Sequence, residues 1–518
     1  MVLFELIILL LLAGALLVAW ARRIGAPYPA LLSLAGAAAA LIPGTPALNL
    51  DPQLTLALFV APTLLDAAFD ASPRDMRENW LPIGALAVIV VGLTVAAVAI
   101  LAHAVVPGMS WAAAIALGAI VAPPDASAAT AVLRQLNPPH RLMVILEGES
   151  LLNDAAALLI YRIAVAAAAG DAVIGWTLAP IVAGTVLGGG LLGWAMARLW
   201  LLIPVQRAEL ALSVLLQFLG TFAVWILADR IGVSAIMTVV VYAMVLARRS
   251  PLRTPARYRI ASYAVWDVVV FVLNVLAFVL IGLQLKPILL RLDGAWFDYL
   301  ALAAGICGLT VLVRAGWVFS YVSVRRLALR LAGPARKEGM LRPTFPGATL
   351  VSWCGMRGIV TLASALALPE AFPARDLILF CAFAVVIVTL VVQGLTLRPL
   401  MRILPIPADG SVAAETRLAR SATARAALAV IEARGGADGA SGLAHKYQAR
   451  AEADAEELRR QRALTTLHAE AVAAQRRTLA DLRRSGTIGD DAFHRIEEEL
   501  DLIELTSDPL LYVPDAKS

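Results

Sequence analysis

A polar decapeptide stands inside an apolar part of this chain: Leu146-Glu147-Gly148-Glu149-Ser150-Leu151-Leu152-Asn153-Asp154-Ala155. The surrounding segment, 142–169, is long enough to cross a bilayer, for which about twenty apolar residues suffice. A charged Asp near the bilayer centre costs about 2.5–3.5 kcal/mol on insertion scales. We therefore expect the carboxylates of Glu147, Glu149 and Asp154 either to pair with other groups or to take part in the function of the protein.

Helical geometry places these polar side chains on neighbouring faces of one helix. With about 100° of rotation per residue, Glu147 and Asp154 share a face with either Ser150 or Leu151. Glu149 and Asn153 form an i,i+4 pair on the adjoining face. The pattern predicts a polar stripe that faces the protein interior. It serves either a functional site or a structural ion pair between helices, and the second interpretation suits Glu149 in particular.

The composition indicates a polytopic membrane protein. Hydrophobic residues make up 60% of the 518 residues and charged residues 16%, whereas soluble domains are nearer half apolar and a quarter charged. The run 1–20 lacks the basic start of a signal peptide and is too long for its apolar core, so we expect a retained spanning helix. The cysteines Cys307, Cys354 and Cys381 lack the spacing of a disulfide or zinc framework, which predicts a packing role.

The apolar runs predict about thirteen spanning segments and an all-α membrane domain. Their approximate bounds are 2–20, 27–43, 52–70, 80–106, 110–133, 142–169, 176–203, 208–229, 232–247, 261–290, 296–324, 345–368 and 376–404.

Every other connection between these segments is basic. The basic connections carry Arg22, Arg23, Arg74, Arg77, Arg134, Arg141, Arg207, Arg248, Arg249, Arg253, Arg257, Arg259, Arg325, Arg326, Arg330, Arg336, Lys337 and Arg342. The intervening connections hold only Arg230, Lys286, Arg291 and Arg375. By the positive-inside rule, the N-terminus is expected outside the cytoplasmic (inner) membrane and the C-terminus in the cytoplasm, which requires an odd number of crossings.

The composition changes abruptly from about Asp409 to Ala, Glu, Arg and Leu. We therefore divide the chain into a transmembrane domain, 1–405, and a cytoplasmic helical tail, 406–518. Within the tail, 412–433 and 443–485 are predicted as soluble helices. A regulatory role and a plain solvated tail or dimer contact are equally compatible with this pattern.

Two spanning segments carry helix-breaking sequences. Pro123 and Pro124 remove two backbone donors directly before Asp125, so the helix must break there. A second interruption, Gly355-Met356-Arg357-Gly358, sets two glycines around an arginine. Broken backbone at membrane depth is tolerated where it is buried in protein or lines a wet cavity. Two interrupted spans in separate halves of the chain indicate a transporter of inverted repeats, with its site where the breaks cross.

The always-charged guanidinium of Arg357 needs an acidic partner inside the membrane. We expect that partner to be Glu149, which leaves Asp154 as the unpaired carboxylate. Further polar groups within the apolar segments are expected to form pairs between helices, and these are Asp66, Arg162, Asp267, Asn274 and Arg314. His103, near a segment end, is expected to be a satisfied interfacial residue.

One carboxylate can couple two ions if it holds either a proton or a cation but never both. A hard monovalent cation takes oxygen ligands, which carboxylate, hydroxyl, amide and backbone carbonyl groups supply. Asp154 would then be both the cation ligand and the proton carrier, with the proton leaving before the cation binds.

Several motifs in order resemble the bacterial NhaP-type sodium/proton antiporters, relatives of the animal sodium/proton exchangers in the first monovalent cation:proton antiporter family. They are Gly148-Glu149-Ser150-Leu151-Leu152-Asn153-Asp154, Pro124-Asp125, Trp353-Cys354-Gly355-Met356-Arg357-Gly358 with Thr361-Leu362-Ala363-Ser364-Ala365-Leu366, and Gln393-Gly394-Leu395-Thr396-Leu397-Arg398-Pro399-Leu400. The resemblance covers about 1–405.

The resemblance implies a fold with a six-helix core domain, two crossed broken helices and a dimerisation domain. It implies electroneutral exchange of one Na+ for one H+ by an elevator-like movement, in a homodimer within membrane lipid. By the same resemblance, the Na+ ligands are Asp154, Ser150 and Asp125, with Asn153 and Pro124 beside them. Many members place threonine where this chain has Pro124, so the choice among Na+, Li+ and K+ stays open.

Two other functions remain as alternatives: a K+/H+ antiporter and a cation channel gated by the tail. An enzyme is not expected, because the chain lacks a Gly-x-Ser-x-Gly elbow and a His-Glu-x-x-His pair, which excludes two hydrolase classes. We also expect no cofactor and no nucleic-acid partner.

Overall fold

A computed structural model of the protein describes residues 2–43, 51–136, 138–170, 178–203, 210–249, 256–290, 296–331, 344–406, 409–433 and 471–482, and isolated residues between 444 and 501. The described residues form helices and connections, without a strand. The chain divides into two compact units, Met1–Ala408 and Asp409–Ser518.

Apart from two short helices, Pro73–Glu78 and Leu285–Leu289, the helices of the first unit begin and end near the predicted segment boundaries. They are α1 (Val2–Ile24), α2 (Tyr28–Ala40), α3 (Gln53–Asp70), α4 (Trp80–Val105), α5 (Trp111–Val121), α6 (Ala126–Leu133), α7 (His140–Ala168), α8 (Leu178–Trp200), α9 (Leu210–Ile231), α10 (Ala235–Arg249), α11 (Ala256–Leu283), α12 (Trp296–Leu331), α13 (Phe345–Trp353), α14 (Ile359–Leu366) and α15 (Arg375–Ile403).

Within the described ranges, nine helices are long and apolar enough to cross a membrane, namely α1, α3, α4, α7, α8, α9, α11, α12 and α15. Shorter helices occupy the other predicted segments, among them α2 and the pairs α5/α6 and α13/α14. The all-α membrane fold is therefore confirmed, and the exact number of crossings stays a prediction.

In the second unit, α16 runs from Ser411 to Ala433, which matches the helix predicted over 412–433. Of the helix predicted over 443–485, the stretch 471–482 is described and helical. Most of the remainder lies outside the described residues.

Both predicted helix breaks occur. The first lies between α5 and α6, where Asp125 begins α6 by accepting the backbone N–H of Ser127 with its side chain. The second lies between α13 and α14, across 354–358. The backbone N–H of Asp125 donates to the carbonyl oxygen of Met356 at 2.7 Å. The two breaks therefore contact each other inside the first unit.

Two apolar clusters flank α7. The larger gathers buried residues of α4, α5, α12, α13 and α15, and the smaller those of α3, α8, α9 and α10. Helix α7 contributes Leu146 to the larger cluster and Leu151 and Ala155 to the smaller one. Asp154 therefore lies on the helix that packs against both clusters.

Helices α2 and α11 pack backbone against backbone, because each has a glycine at the contact. A Cβ at Gly282 would lie 2.2 Å from the carbonyl oxygen of Ser33, and a Cβ at Gly36 would lie 2.3 Å from that of Val279. A backbone carbonyl cannot move aside as a flexible side chain can, so neither position accepts a larger residue.

We expect Gly282→Ala to destabilise the protein by about 1–3 kcal/mol, the usual cost of forcing extra volume into a packed core. Thermal unfolding of the detergent-solubilised protein measures this effect. Gly316→Ala on α12 is the matched control, because a Cβ there meets no atom within 4 Å and alanine favours the helix. Equal unfolding temperatures for the two variants would contradict the close contact.

Candidate functional site

Asp154 lies on α7 and is 7% exposed. Across the described residues, no hydrogen bond or ion pair reaches its carboxylate. Asp125 is near, because the residue before Asp154 binds the carbonyl oxygen of the residue before Asp125. A buried carboxylate without a cationic partner is costly to keep ionised. Binding either a proton or a cation removes that cost.

The neighbouring Asn153 connects α7 to the first helix break. Its Nδ2 atom donates to the carbonyl oxygen of Pro124 at 2.9 Å, and its side chain is fully buried. Its Oδ1 atom has no hydrogen-bond partner among the described residues. One end of this amide therefore holds the broken backbone, and the other remains an available oxygen.

Asp125 joins the two breaks. Its Oδ1 atom accepts the backbone N–H of Ser127 at 2.8 Å and the Ser127 hydroxyl at 2.6 Å. Its other carboxylate oxygen, Oδ2, lies against Gly358, where a Cβ would be 1.7 Å away. Gly358 is thus required because the carboxylate occupies the space of a side chain.

Arg357 binds the carbonyl ends of both half helices. It donates from Nε to Val121 O at 2.9 Å, from Nη2 to Ala122 O at 3.3 Å and from Nη1 to Gly355 O. The first two carbonyls end α5 and the third follows α13. The last carbonyls of a helix lack intrahelical partners and carry partial negative charge. The guanidinium therefore supplies hydrogen bonds to free carbonyls at both breaks and offsets their partial negative charge.

The predicted pairing of Glu149 with Arg357 is wrong, because Glu149 pairs with Arg314 of α12. Both guanidinium Nη atoms donate to the carboxylate, Nη1 to Oε1 and Nη2 to Oε2 at 2.7 Å. The Nε of Arg314 donates to Val351 O at 3.0 Å, and both side chains are 2% exposed. A bidentate fork satisfies the carboxylate fully, and Arg357 finds its acceptors in backbone carbonyls instead.

The other members of the polar stripe occupy different surroundings. Glu147 lies within 3.3 Å of Arg134 in a pair that is partly open to solvent, so it lies outside the buried site. Ser150 is half-buried on α7, one turn before Asp154. The structure thus places Glu149, Asn153 and Asp154 inside and Glu147 at the rim.

The remaining polar groups of the apolar segments differ in their contacts. Arg162 pairs with Asp229 at 3.0 Å on an exposed surface. The pairing expected for Asp66 and Asp267 is not found within the described part of the chain; both line a polar cavity of about 470 Å³ beside Asp70. His103 is satisfied as expected, since Nδ1 lies 2.7 Å from Met109 O.

Three polar residues near these motifs were not singled out from the sequence. The hydroxyl of Thr389 accepts the backbone N–H of Arg357 at 3.0 Å. Thr361 and Gln393 are buried, and their polar side-chain atoms have no partner among the described residues. Thr361 and Gln393 lie inside the quoted motifs, so their position could have marked them as site residues. Their side chains are uncharged, and the sequence therefore predicted no role for them.

We expect Arg314→Met to destabilise the protein by about 3–5 kcal/mol, because it leaves Glu149 as an unpaired buried charge. Thermal unfolding in detergent measures the loss. The double variant Glu149→Leu/Arg314→Met should regain most of it, since an apolar pair of similar volume carries no desolvation cost.

Arg162→Met is the control for this prediction, because its exposed pair contributes about 0–1 kcal/mol. A parent-like unfolding temperature for the single Arg314→Met variant would contradict the assigned pair.

Comparison with known proteins assigns the chain to a family. The family described as sodium/hydrogen exchanger, transmembrane, matches residues 7–403. An uncharacterized Na+/H+ exchanger of Mycobacterium bovis is 33% identical over 82% of this chain and 79% of its own length. A low-affinity Na+/H+ antiporter of Synechocystis is 31% identical over 74% of this chain and 70% of its own length.

Solved structures show the same fold. The electron-microscopy structure of the sodium proton antiporter MjNhaP1 from Methanocaldococcus jannaschii superposes with a TM-score of 0.61 at 17% identity, over 78% of this chain and 98% of that one. The chain belongs to the sodium/hydrogen exchanger family and has the fold of an NhaP-type antiporter.

Proposed function

We propose that this protein exchanges a monovalent cation, Na+ in the first place, for H+ at Asp154. The observation that carries the proposal is the buried carboxylate of Asp154, which has no hydrogen-bond or ion-pair partner among the described residues and lies beside two helix breaks whose free carbonyls Arg357 binds. Among the described residues of the site, Glu149 and Arg314 pair with each other and Arg357 binds backbone carbonyls. Ser127 holds one oxygen of Asp125, so Asp154 is the carboxylate without a partner that is left to bind a transported ion. Family membership supports the same exchange.

The exchange follows from competition for one carboxylate. When Asp154 releases its proton, its negative charge attracts a cation, whose shell is completed by oxygen ligands such as Ser150, Asp125 and backbone carbonyls. When the cation leaves, a proton restores the neutral form. Since each state of Asp154 is neutral when loaded, either ion can be carried without a net buried charge.

The Asn153 amide favours electroneutral exchange of one cation for one proton. It occupies the position beside Asp154 without a charge, and one end is bound to Pro124 O. A single titrating carboxylate carries one charge in each direction. We therefore propose a 1:1 stoichiometry, with Asp125 as a positioning group whose Oδ1 is already held by Ser127.

Sodium is the first candidate, and potassium is the alternative. A relative from Bacillus pumilus, 31% identical over 72% of this chain, is named a sodium, potassium, lithium and rubidium/H+ antiporter. Pro124 supplies no hydroxyl ligand, so this chain has one selectivity group fewer than a threonine would give. A tail-gated channel is less well supported, because Arg357 and Asp125 fill the junction of the breaks.

The membrane setting belongs to the proposal. The distribution of basic residues supports the cytoplasmic membrane, with the N-terminus outside and the C-terminal tail, 406–518, in the cytoplasm. A homodimer is proposed by the resemblance. A regulatory role of the tail stays one alternative beside a plain solvated tail or dimer contact.

The test is proton flux in proteoliposomes that contain an internal pH dye. Addition of Na+, Li+ or K+ should alkalinise or acidify the interior according to the gradients, and the rate should not change under a potassium-valinomycin voltage clamp. A rate that depends on the clamp would exclude 1:1 exchange. Absence of flux with folded protein would exclude antiport.

We expect Asp154→Asn to abolish exchange while the unfolding temperature stays near that of the parent, because the amide resembles the protonated carboxyl in shape and charge. Glu147→Gln is the matched control, since Glu147 lies at the rim and pairs with Arg134, and it should keep exchange. Wild-type flux through Asp154→Asn would remove this residue from the site.

We also expect the apparent KM for the cation to rise as the pH on its side falls, approaching about tenfold per pH unit when the site is mostly protonated. The apparent KM rises as the pH falls because a proton bound to Asp154 leaves that site unable to bind a cation. Initial rates over a grid of pH and Na+ concentration measure it. A KM that is constant while the maximal rate changes would show that proton and cation use separate groups.

A further inference from the structure

An apolar cavity of about 120 Å³ lies at the end of the first unit where the basic connections are found. Four helices wall it: the beginnings of α4, α7 and α13 and the second half of α12. The side chains that matter below are Ile145, Val318, Val351, Trp317 and Arg141. This cavity is separate from the polar one beside Asp66.

The floor of the cavity adjoins the buried ion pair. Ile145 lies one helical turn before Glu149 on α7, and Val318 lies one turn after Arg314 on α12. The carbonyl of Val351, a third lining residue, accepts the Nε of Arg314 at 3.0 Å. Whatever fills the cavity therefore packs against the elements that hold Glu149 and Arg314 together.

Arginines surround the cavity on its basic side. Arg141 lines it and donates from Nε to Asn79 Oδ1 at 2.8 Å. Arg325 and Arg326 lie one helical turn after the lining residues Tyr321 and Val322 on α12. Arg326 lies over the ring of Phe345, 4.5 Å from its centroid. Three guanidinium groups thus lie on or beside the walls of one apolar cavity.

The carboxylates at this end are already engaged. Asp75 lies 3.1 Å from His140 and Glu78 lies 3.4 Å from Arg74. Partial burial raises the pKa of Asp75, but hydrogen bonds from His140 and Ser72 outweigh it and lower the pKa overall. The local field at the cavity therefore remains positive and favours an anion.

The outer faces of the same walls are apolar and exposed. Trp80 and Leu81 at the start of α4 are 64% and 49% exposed, and Val324 and Leu327 on α12 are 65% and 57% exposed. In a membrane protein such side chains contact acyl chains, and Trp is typical of the interface with water. The cavity thus lies between lipid-facing helices, at the level where headgroups begin.

We propose that this cavity binds an acyl chain of an anionic phospholipid from the adjoining leaflet, with the lipid phosphate held by Arg325, Arg326 and Arg141. Guanidinium groups bind phosphate oxygens in a fork geometry, and basic pockets between helices are known to suit anionic headgroups. The bound chain braces the helices that carry Glu149 and Arg314. This site is independent of the proposed ion exchange.

The test uses the full-length protein in detergent, with thermal unfolding measured after addition of phosphatidylglycerol or phosphatidylcholine. We expect phosphatidylglycerol to raise the unfolding temperature more than phosphatidylcholine does, and native mass spectrometry to detect the retained lipid. Arg325→Gln/Arg326→Gln should lose at least half of this difference. Arg248→Gln/Arg249→Gln, an exposed pair on α10, changes the charge equally and should keep it.

A second variant tests the apolar cavity independently of the arginines that surround it. Ala348→Leu places a larger apolar side chain in the cavity wall and should reduce lipid retention without a change in charge. Glycerol 1-phosphate provides the headgroup without acyl chains and should not stabilise the protein.

Three results would overturn the proposal. The first is equal stabilisation by phosphatidylglycerol in the two double arginine variants, which would indicate attraction to the surface in general. The second is full stabilisation by glycerol 1-phosphate, which would indicate a free-phosphate site. The third is the same response to both lipids in the parent protein. Each readout is obtained without a transport measurement, so failure of ion exchange and failure of lipid binding are distinguishable.

Discussion

The contacts of Arg357 with the two helix breaks are the interaction on which the membrane site depends. A helix that stops inside a bilayer leaves carbonyl oxygens without donors, and water is not available there to replace them. A single fixed cation supplies three N–H donors to Val121, Ala122 and Gly355. Because the guanidinium binds these helix ends, it does not neutralise Asp154, and in the proposed exchange the transported ion does so.

The pair formed by Glu149 and Arg314 complements this arrangement. It joins α7 to α12 and, through Val351 O, to α13. A buried ion pair costs desolvation energy and is not by itself a source of stability. Its role here is positional, because it fixes the helix that carries Asn153 and Asp154 against one half of the second broken helix, and it removes one carboxylate from the competition for cations.

The position of α7 between two apolar clusters has a consequence for movement. Leu146 packs in the cluster with α4, α5 and α12, whereas Leu151 and Ala155 pack in that of α3, α8 and α10. Asp154 is therefore close to the surface where the clusters meet. Such a surface is where two rigid groups of helices can slide, which is compatible with the elevator-like movement that the family resemblance implies.

The membrane class, the helix positions and both breaks were predicted from the sequence, because apolar length and proline chemistry act locally. The sequence also singled out Asp154 as a candidate, because a charge inside an apolar run is costly. The partners of the arginines were decided only by the tertiary structure. Periodicity tells which residues share a face of one helix, but Glu149 and Arg314 are 165 positions apart. In the sequence, Arg314 and Arg357 are both arginines inside apolar segments, so either could be the partner of Glu149. Which cation meets the carboxylate and which meets free carbonyls depends on how the helices pack, and no local pattern records that.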